Sequence, residues 1–222
     1  LTGSGTITYY NNSPDTLTTI VWHLYQNIFR KDSSPRKLEQ HSSRADITTK
    51  GIEIESMTVN GISPVRNIDE TVMETPLASP LMPKSAATIS VSWNYEIPND
   101  ADLRTGSDGK DFGMGQWYPQ IAVYDDVRGW DRTQYFGIAE FYTEYGNWNV
   151  ELTVPKNFIL ASTGTLTNAA DVLTPEQLSR FNSLTADSTT RIILPEEVDS
   201  TSDKISADSV VWKFTAENVR DF

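Results

Sequence analysis

Aromatic rings and carboxylates crowd into one stretch of this chain. Of the 23 aromatic residues, eleven fall between Phe112 and Trp148, accompanied by Asp125, Asp126, Asp131, Glu140 and Glu144. Such a mixture can stack sugars, cage a cation or grip a partner surface, since each ring pairs a large apolar face with a specific contact geometry. Large rings also fill cores, and that is the expectation for most of these. Two clusters stand apart: Gln116-Trp117-Tyr118-Pro119 and Val123-Tyr124-Asp125-Asp126. Polar groups packed so densely among rings point to a buried edge or a contact surface.

Metal ligation has one opening. Asn99, Asp100, Asp102, Asp108 and Asp111 form an oxygen-rich loop with Gly106 and Gly109, and calcium takes roughly six to eight oxygens. The ordered spacing of an EF-hand is absent, and Gly and Asp are the ordinary residues of solvated turns. His23 and His41, the only histidines, cannot build a three-histidine site, and no His-Glu-x-x-His occurs. Both read as structural or solvent-facing. Nucleophilic catalysis lacks its parts, with no Cys, no Gly-x-Ser-x-Gly and no phosphate loop. Asp125 and Asp126 cannot flank a glycosidic bond if they lie in a strand, because neighbours there point to opposite faces. Taken alone, the chain reads as non-catalytic.

Composition narrows the partners. The 222 residues carry 30 acids and 18 bases, a net charge of −12. Phosphate backbones need clustered Lys and Arg, so nucleic acid is excluded as a partner. Zero Cys excludes a disulfide scaffold, a thiolate zinc finger and an iron–sulfur site. No stretch approaches the roughly 20 apolar residues of a membrane-spanning helix, so no transmembrane segment is expected in this chain. No charged region followed by an apolar run marks a signal peptide. A start at Leu1 and an end at Arg220-Asp221-Phe222 read as a piece of something longer. Acidity, the lack of Cys and abundant Ser and Thr suit a secreted, periplasmic or cell-envelope location.

The elements that must position these residues are nearly all strands. Ser and Thr number 46, and β-branched and aromatic residues are plentiful, a composition that suits pleated surfaces. Strands are expected at Thr6–Tyr10, Leu17–Phe29, Ile52–Val59, Thr88–Ile97, Trp148–Val154, Ile159–Thr163, Arg191–Leu194 and Val210–Thr215. Thr88–Ile97 shows the clearest alternation, with Ile89, Val91, Trp93 and Tyr95 against Ser90, Ser92 and Asn94. Asn60-Gly61 is the strongest hairpin signal, and Pro76, Pro80 and Pro83 space the segment before Thr88. One helix is expected over 174–185, opened by Thr174-Pro175-Glu176-Gln177, a capping box with proline at the first position. Ser33–Arg44 and Asp199–Asp208 read as polar loops. The expectation is an all-β fold, a multi-stranded antiparallel sandwich or saddle-like sheet with one short helix, forming a single β-domain over 1–222.

From Phe112 to Asp126, the run Phe-Gly-Met-Gly-Gln-Trp-Tyr-Pro-Gln-Ile-Ala-Val-Tyr-Asp-Asp resembles the amino-terminal β-domain of the M1 zinc aminopeptidases, in particular their bacterial M1-like branch. The carrying features are the aromatic-aromatic-Pro element Trp117-Tyr118-Pro119 and the acidic pair Asp125-Asp126. Companion stretches run from Phe141 to Pro155, from Ala161 to Gly164 and from Trp212 to Phe222. Tyr9–Ser13 and Trp22–Asn27 are similar to the family's opening hairpin. The resemblance follows the expected order over nearly the whole chain.

That resemblance implies the amino-terminal domain of a longer peptidase that removes N-terminal residues from peptides, its catalytic domain absent from this chain. Zinc would then sit in that catalytic domain, on a His-Glu-x-x-His helix and a downstream Glu, and no cofactor is expected here. The implied partners are the catalytic domain of the same polypeptide and, through it, a peptide substrate. In the family this domain covers the cleft and lends one Glu or Gln to the substrate's α-ammonium group, a charge-assisted contact. Gln116 is the candidate for that role, although the usual residue sits several positions earlier. Trp117, Tyr118, Asp125, Asp126 and Trp130 are candidates for the cleft wall or the domain interface. The competing reading is a free-standing carbohydrate-binding or adhesive β-sandwich using exposed Trp and Tyr residues. A weaker one is a calcium-stabilised surface module.

Overall fold

Alternation along residues 86–94 decides one face of the first sheet. In the computed structural model, β6 (Ala86–Asn94) buries Ala87, Ile89, Val91 and Trp93 and turns Thr88 and Ser90 outward, as a half-buried strand should. It is the centre of a three-stranded antiparallel sheet, flanked by β1 (Thr2–Tyr10) and β3 (Glu53–Val59). The structure describes residues 1–34, 48–99, 104–108, 111–137, 141–185, 190–198 and 206–222. These divide into two compact units, Leu1–Thr143 and Glu144–Phe222.

A second antiparallel sheet in the first unit has the order β4 (Asn67–Asp69), β5 (Val72–Leu81), β2 (Leu17–His23) and β9 (Gln120–Ile121). β2 is paired on both sides, and Ile20, Val21 and Trp22 are buried on both of its faces. Inside, the Trp22 indole N–H donates to Thr75 Oγ1 at 3.0 Å, and that hydroxyl donates to the Ile20 carbonyl at 3.1 Å. Two small ribbons complete the unit: β7 (Thr105–Ser107) with β8 (Phe112–Met114), and β10 (Tyr124–Asp125) with β11 (Gly129–Trp130).

The strand expected over Leu17–Phe29 stops at His23. A 3-10 turn, Tyr25–Phe29, follows, closed by Asn27 N–H to the Leu24 carbonyl at 2.9 Å. The Asn27 side chain donates to the Glu70 carbonyl at 2.8 Å and accepts from the Ile52 N–H at 2.9 Å. Side-chain amides therefore take over where ladder bonds would have run. The turn's rings build a small core of Tyr25, Ile28, Phe29 and Tyr135, with Phe141 packed edge-on to Tyr25.

Asn60 and Gly61 both adopt positive φ, +50° and +80°, the signature of a primed two-residue turn. The hairpin ends after one bridge, Val59 to Ile62, because β3 pairs with β6 instead. The proline-spaced segment is largely strand β5, with Pro76 exposed where the register to β2 jumps between Leu17 and Thr19.

In the second unit, β14 (Ser209–Val219) lies between β12 (Gly146–Pro155) and the short β13 (Thr165–Leu166), all antiparallel. The expected helix is present as α2 (Pro175–Asn182), with Thr174 and Gln177 making both bonds of the capping box. A four-residue α1 (Ala169–Val172) precedes it, which the sequence pattern does not signal. Two expected strands are absent. Ile159–Thr163 makes no ladder, and the pairing with β14 on that side falls at Thr165–Leu166 instead. Along Arg191–Leu194 side chains claim the backbone: Arg180 Nε donates to the Ile192 carbonyl at 2.7 Å, and Glu197 accepts the Leu194 N–H at 2.9 Å. Each unit is thus antiparallel β, in line with the expected all-β class. Among the described residues no helix is long and apolar enough to cross a membrane.

Candidate functional site

The segment Gly115-Gln116-Trp117-Tyr118 enters β9 from β8, and buried donors fix its course. Gly115 passes so close to residue 104 that a Cβ on it would lie 2.6 Å from the Arg104 carbonyl oxygen, which only glycine permits. Gln116 follows at φ +49°, in the left-handed region, with 5% of its surface exposed. Gln26 Nε2 donates to the Gly115 carbonyl at 3.3 Å and to the Gln116 carbonyl at 3.1 Å. One residue on, the Trp93 indole N–H donates to the Trp117 carbonyl at 2.9 Å. Rings cover this turn: Trp117 meets Trp93 at 6.0 Å between centroids and Tyr118 edge-on at 5.1 Å. Tyr118 is buried and Trp117 half-buried.

Asp125 and Asp126 have separate fates. Asp125 Oδ1 accepts the N–H groups of Val127 at 2.9 Å and Arg128 at 2.6 Å, closing the ribbon's turn. Those backbone donors, that of Arg128 first, hold its carboxyl below the usual aspartate range. Its other oxygen accepts the Tyr142 hydroxyl at 3.3 Å. Asp126 is exposed. Trp130 is only 6% exposed, wedged between Tyr9 at 5.8 Å and Tyr124 at 5.2 Å. This buried ring is engaged by neighbouring rings, which leaves no open face for stacking a sugar. Tyr124 in turn donates its hydroxyl to Asp15 at 2.8 Å, and this bond raises its pKa. The structure therefore sets Trp117, the neighbour of Gln116 in the turn, against Trp93 and Tyr118, and Trp130 against Tyr9 and Tyr124, with Asp125 holding its own turn.

His23 is 2% exposed at the end of β2, stacked on Tyr25 with ring centroids 5.1 Å apart. Asp131 Oδ2 approaches its Nε2 to 3.5 Å, an ion-pair distance, yet among the described residues neither imidazole nitrogen has a hydrogen-bond partner. Burial lowers the His23 pKa, and Asp131 opposes the shift. Zinc does not fit this pair: among the described residues no three His, Cys, Asp or Glu side chains converge, and zinc sites use at least three protein ligands. His41, Asp100, Asp102 and Gly109 lie outside the described residues. In the remainder of the acidic loop, Asp108 Oδ1 accepts the Asp111 N–H at 2.9 Å, an ordinary turn contact.

Sequence reasoning missed the supports. Gln26, Asn27 and Trp93 read as alternating strand residues, and their long-range donor role has no local signature. The one available signal was polarity, since Gln26 and Asn27 interrupt an apolar run that otherwise favours burial.

No family model matches the chain, and no curated protein matches it. Its structure is similar to that of an M1 zinc metallopeptidase from Deinococcus radiodurans, with a TM-score of 0.43 and 14% identity over 96% of this chain. A mutant of that enzyme bound to a Tyr-Ser-Ala substrate is similar to the same degree, at a TM-score of 0.43 and 14% identity over 96% of this chain. A two-domain form bound to L-arginine has a TM-score of 0.43 and 15% identity over 96% of this chain. The chain spans 34% of the length of each of these structures.

Proposed function

We propose that this chain is the non-catalytic amino-terminal β-domain of an M1-type zinc aminopeptidase, covering its cleft and presenting Gln116 to the substrate's α-ammonium group. The observation that carries the reading is Gln116 itself. It follows the glycines of the Phe112–Asp126 run and precedes Trp117-Tyr118-Pro119, with its backbone fixed by buried donors. Among the described residues no hydrogen bond engages its side-chain amide. A fixed backbone beneath an uncommitted amide is what a ligand contact requires. An amide oxygen accepts from an ammonium group, and the positive charge strengthens that bond.

The zinc, the polarised carbonyl and the activated water belong to the proposed catalytic domain, and no residue of this chain takes part in those steps. Trp117 and Tyr118 are proposed to line the cleft or the domain interface, and the parent to act in the periplasm or outside the cell. The reading is tested on the full-length parent. Its gene is expected to encode a His-Glu-x-x-His helix downstream of Phe222 in the same frame. Gln116→Ala in that enzyme is expected to raise KM for a dipeptide about tenfold, the scale of one hydrogen bond to a charged group. A parent lacking that helix, or a variant with unchanged KM, overturns the proposal.

A further inference from the structure

The backbone of residues 115–117 is held at more points than a surface turn needs. Gly115 donates its N–H to the Arg104 carbonyl at 2.8 Å. Its own carbonyl and that of Gln116 are both taken by Gln26 Nε2, at 3.3 and 3.1 Å, and the Trp117 carbonyl by Trp93. Gln26 reaches across 90 positions of sequence to do this and is 2% exposed. Its Oε1 is buried with no hydrogen-bond partner among the described residues, so the amide acts here through its donors. A glutamate in its place has no donor, and an apolar residue leaves both carbonyls without this partner.

What these donors hold is a strained conformation. A left-handed φ on a residue with a full side chain costs energy that its surroundings offset, and Gln116 differs from Asn60, Arg104 and Asn218, which adopt it at exposed positions, in being buried. Glycine at position 116 would adopt the same φ without that cost. The strain therefore maintains something that glycine lacks, which is a side chain.

We infer that Gln26 is a positioning residue whose buried amide sets the Gln116 backbone in the left-handed region and so fixes the direction of the Gln116 side chain. The importance of that direction rests on the reading of Gln116 as ligand-facing, but the test needs no ligand. It uses the whole chain and reads the Gln116 backbone by NMR, where a positive φ gives a strong intraresidue amide–Hα NOE. In Gln26→Leu the NOE is expected to weaken to the level of ordinary extended residues. Asn11→Ala, which removes a buried amide elsewhere in the unit, is expected to leave it unchanged. If Gln26→Leu does not fold, Gln26→Asn, one methylene shorter, is read in the same way. In parallel, Gln116→Gly is expected to raise Tm by about 2 °C or more by releasing the strain. A left-handed Gln116 that survives in either Gln26 variant overturns the inference, as does a Tm unchanged or lowered by Gln116→Gly. Failure here leaves the amine contact standing, whereas an unchanged KM for Gln116→Ala in the parent defeats the contact and leaves the Gln26 support intact.

Discussion

At the scale of single residues, His23 shows how burial turns a titratable group into a record of folding. The His23 backbone pairs with β5 and β9, and its imidazole is buried, stacked on Tyr25 and 3.5 Å from Asp131, with no hydrogen bond to either nitrogen among the described residues. Losing water penalises the charged ring more than Asp131 compensates, so the folded pKa lies below that of the unfolded chain. The unfolded state then binds more protons in the window between the two values, and stability rises with pH across it. The contribution is complete above the unfolded value, about 6.5, and is lost as pH falls through the folded one. Urea unfolding should therefore show stability decreasing as pH drops from 7.5 toward 5.5, a slope that His23→Gln flattens. A wild-type slope equal to that of the variant would rule out His23 as its source. The sequence left this ring open between a structural and a solvent-facing place. Its burial is a tertiary fact, set by strands that reach it from positions 72 and 120.

Elements were legible where the pattern is local and obscure where partners are distant. The β6 alternation and the capping box at Thr174 and Gln177 are written in neighbouring residues, and both are present. For the helix this supports a direct prediction. Thr174→Ala removes the acceptor for the Gln177 N–H, seen at 3.3 Å, and should cost about 1 kcal/mol of stability in thermal unfolding. Thr174→Ser should cost much less, and equal losses would show that the cap contributes nothing. By contrast, period-two patterning extended β2 through Tyr25–Phe29, since Gln26 and Asn27 alternate correctly but spend their amides on chain 25 to 90 positions away. Arg191–Leu194 failed through nearer competitors, its backbone groups taken by the side chains of Arg180 and Glu197, 12 and 3 positions away. In the candidate site, the Trp-Tyr-Pro element was visible as a motif. The left-handed Gln116 was not, because nothing in its own neighbourhood demands that conformation. Gln26 and Trp93 impose it from elsewhere.

At the scale of the whole molecule, charge and metal chemistry separate along the chain. Residues 1–60 carry 6 acids and 6 bases, while residues 101–222 carry 19 acids against 10 bases. In a peptidase that reads cationic substrate termini, an acidic flank raises their local concentration at low salt. The chain has two histidines, one of them buried beside a single carboxylate, and no three-ligand group stands among the described residues. A catalytic zinc needs three protein ligands and an open position for water, and an arylamide carbonyl needs that metal to polarise it. The isolated chain should accordingly bind no stoichiometric zinc after dialysis against micromolar metal, and should not hydrolyse an aminoacyl-arylamide. The proposed parent peptidase should bind zinc and hydrolyse the arylamide, with turnover abolished by a chelator and restored by zinc. One zinc per isolated chain, or chelator-sensitive turnover by it, would place catalysis within these 222 residues and sink the division of labour proposed for the two domains.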